Sequence, residues 1–89
     1  MENTFNFNNE LSGKTVLVTG GTKGAGKAIA ERLLQAGATV IITARNPPEN
    51  PNDKIHFIAA DLATSMGTKR VVDEVLSKYG KLDILVNNL

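Results

Sequence analysis

One stretch constrains this chain more than any other: Gly20, Gly24 and Gly26 stand in a G-x-x-x-G-x-G spacing between a β-branched run and an amphipathic one. The run before it, Lys14-Thr15-Val16-Leu17-Val18-Thr19, reads as a strand. The run after it sets Ala28, Ile29, Ala30, Leu33 and Leu34 on one helical face, with Glu31, Arg32 and Gln35 outside it. Gly37 ends that helix as a C-terminal cap does. A strand that turns through glycines straight into a helix begins a β-α-β crossover, because the helix must return the chain before a parallel strand can pair.

The remaining pattern repeats this logic. Thr39-Val40-Ile41-Ile42-Thr43-Ala44 is apolar nearly throughout, as a strand buried on both faces is. Arg45 to Lys54 carries Pro47, Pro48 and Pro51 and reads as a loop. Ile55 to Ala59 is a short third strand. Thr64 or Ser65 caps a second helix that runs to about Tyr79, with Val71, Val72, Val75 and Leu76 inward and Gly80 closing it. Leu82-Asp83-Ile84-Leu85-Val86-Asn87 is a fourth strand. The expected fold is α/β: a mostly parallel, doubly wound sheet of about four strands in the order 3-2-1-4, with helices on both faces.

Size and composition then narrow the function. A chain of 89 residues holds one domain and one core. Residues 1–11, Asn-rich and without periodicity, read as a flexible lead-in, in which Phe5 and Phe7 either pack on the domain or belong to a tail. Ten Lys and Arg against nine Asp and Glu give a net charge of +1, too small a field to select nucleic acid or an anionic membrane. The absence of cysteine excludes disulfide scaffolds, thiolate zinc sites and cysteine nucleophiles. The N-terminus carries no basic segment followed by an apolar run, and the apolar runs elsewhere are far short of the roughly 20 residues that span a bilayer. A soluble, cytoplasmic chain is expected.

Where a strand bends into a helix, backbone N–H groups and the helix dipole favour an anion. Gly20, Thr22, Lys23, Gly24, Ala25 and Gly26 therefore read as a phosphate cradle, against the alternative of a tight turn that serves the fold alone. A Walker A loop is excluded: Gly24 follows Lys23 and Ala28 follows Lys27, where that motif needs Ser or Thr to hold magnesium.

The end of the second strand names the ligand more closely. An Asp or Glu there would accept hydrogen bonds from a ribose 2′-OH and repel a 2′-phosphate. The strand ends instead in Ala44 and Arg45, with Lys23 in the glycine turn, so two cations flanking one crevice point to NADP rather than NAD. Either cation alone also reads as a solvated loop residue. Asp61 and Leu62, after the third strand, are placed to meet an adenine edge, or Asp61 is a loop cap. Asn87 and Asn88 end the fourth strand, where their amides either brace neighbouring strand ends or meet a ribose. His56 has no partner in metal-ligand spacing, and Tyr79, just before Gly80, reads as a packing residue.

At Thr19-Gly20-Gly21-Thr22-Lys23-Gly24-Ala25-Gly26 the chain resembles the short-chain dehydrogenase/reductase family, whose cofactor motif is T-G-x-x-x-G-x-G. The resemblance extends to Ala44-Arg45, similar to NADP-preferring members, to Asp61-Leu62, and to Leu82-Asp83-Ile84-Leu85-Val86-Asn87-Asn88, similar to L-D-x-L-V-N-N-A-G. It covers the chain from Leu11 onward and implies part of a Rossmann-like domain, with residues 12–89 its N-terminal portion. It implies hydride transfer between a nicotinamide cofactor and a carbonyl or alcohol, with cofactor contacts at Gly20, Thr22, Lys23, Gly24, Ala25, Gly26, Arg45, Asp61, Leu62 and Asn87.

Two positions depart from the family. Ala25 stands where Ile is usual, and Leu89 follows Asn88 in place of Ala-Gly. The family's catalytic Asn, Ser and Tyr-x-x-x-Lys match no position here, so no catalytic residue is assigned and the chain alone is expected to be inactive. Alternatives are a standalone non-catalytic dinucleotide-binding module, or an assembly protein acting through the apolar fourth strand, whose open edge is expected to self-associate.

Overall fold

The computed structural model describes residues 10–20 and 22–88. Phe5, Phe7 and most of the expected lead-in lie outside them. Leu11, at the end of that lead-in, is tied to the fold: its N–H donates to the Ala36 carbonyl at 2.8 Å and its side chain packs on the core.

Six elements follow in the expected order: β1 (Thr15–Thr19), α1 (Gly24–Gln35), β2 (Thr39–Ala44), β3 (His56–Ala59), α2 (Ser65–Tyr79) and β4 (Ile84–Asn87). The four strands form one sheet in the order β3-β2-β1-β4, every pair parallel. Strand polarity explains the two-faced core. Along β1 and β2, alternate side chains point to opposite sides of the sheet. Val16, Val18, Val40 and Ile42 pack with Ala30 of α1, whereas Leu17, Ile41 and Ile58 pack with Val71 and Val75 of α2. With a helix on each face, neither side of the central strands is wet, which is why these strands show no alternation of polarity.

Three boundaries differ from the sequence pattern. Lys14 and Ile55 lie just outside β1 and β3, and β4 starts at Ile84 rather than Leu82. Asp83 is the cause of the last difference. Its carboxylate accepts from the Thr15 N–H at 2.8 Å, its own N–H donates to the Thr15 carbonyl at 2.9 Å, and Lys81 pairs with it at 3.1 Å. These bonds clamp the start of β4 to β1 and lower the Asp83 carboxyl pKa, first through the Thr15 N–H and then through Lys81.

Leu76 also departs from expectation. It is 44% exposed rather than turned inward, because the buried stripe of α2 centres on Val71 and Val75 and Leu76 sits about 100° round from Val75. The caps of α2 are as expected: Thr64 accepts from the Gly67 N–H at 3.0 Å, and Gly80 ends the helix. Among the described residues, no helix is long and apolar enough to cross a membrane.

Candidate functional site

Parallel strands in register bring all four carboxyl ends to one edge, with Thr19 level with Thr43 and Asn87, and Ala44 level with Ala59. The residues that follow the strands therefore converge there without any long-range device. Gly20, Arg45, Asp61, Leu62 and Asn88 line an open groove of about 530 Å3. Its floor is tied by the Gly20 N–H, which donates to the Thr43 carbonyl at 2.8 Å, and the Ala60 N–H, which donates to the Ala44 carbonyl at 3.0 Å.

The glycine turn divides its labour. Gly26 is buried, and a Cβ on it would overlap the Gly20 carbonyl oxygen; a Cβ on Gly20 would overlap the Asn88 carbonyl oxygen. These two glycines let α1, the end of β1 and the end of β4 touch, so their first service is to the fold. Gly24 differs. Its φ of +53° favours glycine, and an added Cβ would meet nothing within 4 Å. It faces open space at the first residue of α1, next to exposed Ala25.

No side chain caps α1, whose N-cap residue is Lys23, and no acidic residue lies in its first turn. The contrast with Thr64 on α2 is physical, since the uncapped N–H groups of a helix start are donors in want of an acceptor. A phosphate suits that position in charge and in hydrogen bonding.

Lys23 and Arg45 line different hollows. Arg45 lines the groove with Asp61 and Leu62, while Lys23 lines a second depression of about 390 Å3 with Thr22, Gly24, Lys27 and the loop from Pro47 to Asn50. The loop after Arg45 folds toward the glycine turn, so that Pro47 to Asn50 face Thr22, Lys23, Gly24 and Lys27, a path that three prolines allow but local pattern does not specify. Both cations are exposed, and among the described residues neither has an ion-pair partner.

Asp61 is exposed, and its side chain accepts from the Ala63 N–H at 2.9 Å, so it shapes its own loop while lining the groove. Gly67 lets α2 seat on the Asp61 carbonyl, which a Cβ there would overlap. Leu62 is half-buried and lines the groove. Asn87 does not line it. Asn87 faces a smaller hollow with Thr19, Leu62, Val72 and Leu85, and its Oδ1 lies 3.1 Å from the Thr19 hydroxyl.

Two residues matter more than the sequence motif suggests. The Thr19 hydroxyl accepts from the Asn88 N–H at 2.8 Å, and Asn88 in turn donates its amide to the Gly20 carbonyl at 3.4 Å. Thr19 and Asn88 thus fix the spacing between the middle strand ends. Thr19 opens the glycine motif and Asn88 belongs to the pair for which bracing of strand ends is one of two readings; the partner each one takes has no local signal.

His56 and Tyr79 lie at the opposite edge, where strands begin. His56 sits between Glu74 at 3.5 Å and Lys78 at 3.2 Å, edge-on to the Tyr79 ring, and burial raises the Tyr79 pKa. This is packing far from the groove. Among the described residues, no cluster of acids and histidines is arranged to hold a metal ion. The groove edge offers anion donors, amides and one carboxylate, a set suited to binding and orientation.

A family model described as short chain dehydrogenase matches residues 14–89. Dehydrogenase/reductase SDR family member 4 of Caenorhabditis elegans is 44% identical over 89 residues, covering 88% of this chain and 34% of that protein. A short chain dehydrogenase of Leptospira borgpetersenii, solved with bound NAD+, superposes with a TM-score of 0.80 at 27% identity, covering 98% of this chain and 35% of the other. Pseudomonas aeruginosa RhlG, solved as an NADP active-site complex, gives a TM-score of 0.78 at 33% identity, covering 96% and 37%. The chain thus spans about a third of the length of the proteins it matches.

Proposed function

The chain belongs to the short chain dehydrogenase family, and from that premise we propose that it is the cofactor-binding part of an NADP-dependent oxidoreductase acting on a carbonyl or alcohol. One observation carries the cofactor preference: β2 ends at Ala44 and is followed by exposed Arg45, with no carboxylate at the ribose position, and Lys23 stands unpaired among the described residues at the start of α1. A carboxylate at the strand end would oppose a 2′-phosphate, whereas a guanidinium offers it a planar fork of charged donors.

The open space at Gly24 and the uncapped start of α1 fit a pyrophosphate, and the Arg45, Asp61 and Leu62 groove fits an adenosine. When bound, the nicotinamide dinucleotide supplies or accepts a hydride. The residues of this chain bind and orient: the α1 N–H groups take phosphate oxygens, Leu62 gives apolar cover, and Arg45 and Lys23 select the extra phosphate from its two sides. Thr19 and Asn88 hold the strand ends at the spacing the groove requires.

The experiment is a calorimetric titration of the chain with NADP and NAD, accompanied by an assay of carbonyl reduction. The reading expects tighter binding of NADP and no turnover, since the family's acid-base residues match no position of this chain. Equal affinity for the two dinucleotides contradicts the preference.

A further inference from the structure

The depression between the glycine turn and the proline loop holds two residues that the family motif does not account for, Lys27 and Glu49. We propose that these two residues tune the discrimination between a phosphorylated and an unphosphorylated ribose, Lys27 as a further cation beside Lys23 for the 2′-phosphate and Glu49 as the charge that opposes it. The proposal rests on the reading that the site takes NADP.

Lys23 is the N-cap residue of α1, with extended backbone, and Lys27 lies in the first turn of the helix. Both line the depression of about 390 Å3, with Thr22 and Gly24 beside them and Glu49 and Asn50 on the facing loop. Among the described residues, none of Lys23, Lys27 and Glu49 forms an ion pair. Two cations and one carboxylate around one hollow leave a single surplus positive charge. A dianionic phosphate is attracted by that surplus, and a neutral hydroxyl is not.

The loop that carries Glu49 forms the wall facing α1. Pro48 and Asn50 also line a small, mainly apolar cavity of about 40 Å3, together with Ala30 of α1, Ile42 of β2 and Ile55 and Phe57 at β3. Glu49, on the loop, and Lys27, on α1, line the same hollow, and removing either charge shifts the same balance in opposite directions.

The test is isothermal titration of the whole chain with NADP and with NAD, at one ionic strength, for the unaltered protein and for Lys23→Ala, Lys27→Ala, Glu49→Gln and Lys78→Ala. Lys27→Ala is expected to weaken NADP about fivefold and Glu49→Gln to strengthen it about threefold, with NAD changed less than about twofold in both. Lys78→Ala, which removes the same charge at the opposite edge, is expected to leave both affinities unchanged. If Lys23→Ala lowers the NADP-to-NAD preference while Lys27→Ala and Glu49→Gln leave it as it was, the inference is overturned and the NADP reading stands. If the unaltered chain binds NADP no tighter than NAD, or binds neither, the reading itself fails and takes the inference with it.

Discussion

Gly26 lies against the backbone of Gly20 so closely that a single methyl group on Gly26 would overlap the Gly20 carbonyl oxygen. The obstacle is main chain rather than a flexible side-chain tip, so the neighbour has little room to yield. Gly26→Ala is expected to cost about 3 kcal/mol in a urea unfolding curve. Gly24→Ala meets no atom and pays only for its left-handed backbone, about 1 kcal/mol. Equal losses for the two variants would show that the close approach does not limit stability.

Thr19 joins β1 to the end of β4 through one hydroxyl. Replacing Thr19 by Val keeps the shape and leaves the Asn88 N–H without its acceptor, at a cost of about 2 kcal/mol. Amide hydrogen exchange provides the local check: the Asn88 N–H should exchange faster in the variant, while β2 and β3 keep their relative protection. Unchanged exchange at Asn88 would remove the strap from the account.

These two relationships also mark how far the sequence could be read. The strand-glycine-helix order, the sheet order and the Thr64 and Gly80 caps were legible because each depends on neighbours in the chain, on β-branched runs, 3.6-residue spacing and capping chemistry. The Thr19 to Asn88 bond joins residues 69 apart and has no local signature. The same holds for Asp83, whose clamp on Thr15 shortens a strand that its flanking apolar residues make look longer. The placement of Lys23 and Arg45 in separate hollows depends on the path of the loop through Pro47 and Pro48, which composition marks as irregular without saying where it goes.

Asp83 predicts a pH dependence with a definite sign. Its folded pKa is lowered, so the charged carboxylate contributes stability that is fully present above the unfolded Asp value of 3.8 and is lost as pH falls below it through the lowered folded value. Unfolding curves from neutral pH downward should show this loss, and Asp83→Asn should flatten it. A variant with the same acid slope as the parent would assign the dependence to other carboxylates.

The open side of β4 predicts association. Among the described residues β4 pairs only with β1, and Leu85 is 57% exposed beside half-buried Ile84 and Val86. An apolar strand with an unpaired edge recruits another strand. Light scattering after size exclusion is expected to show dimers or larger species that increase with concentration, and Leu85→Lys to shift them toward monomer. A parent chain that stays monomeric at high concentration contradicts this.

The central claim is that a dinucleotide binds at the carboxyl edge and that Lys23 and Arg45 read its 2′-phosphate. Its most direct test compares NADP and NAD affinities, by calorimetry, for the parent chain and for the double variant Lys23→Ala, Arg45→Ala. The account predicts that NADP binding weakens by about tenfold for each cation removed while NAD changes little. An equal loss for both dinucleotides, or a preference for NADP that survives the double substitution, would contradict it.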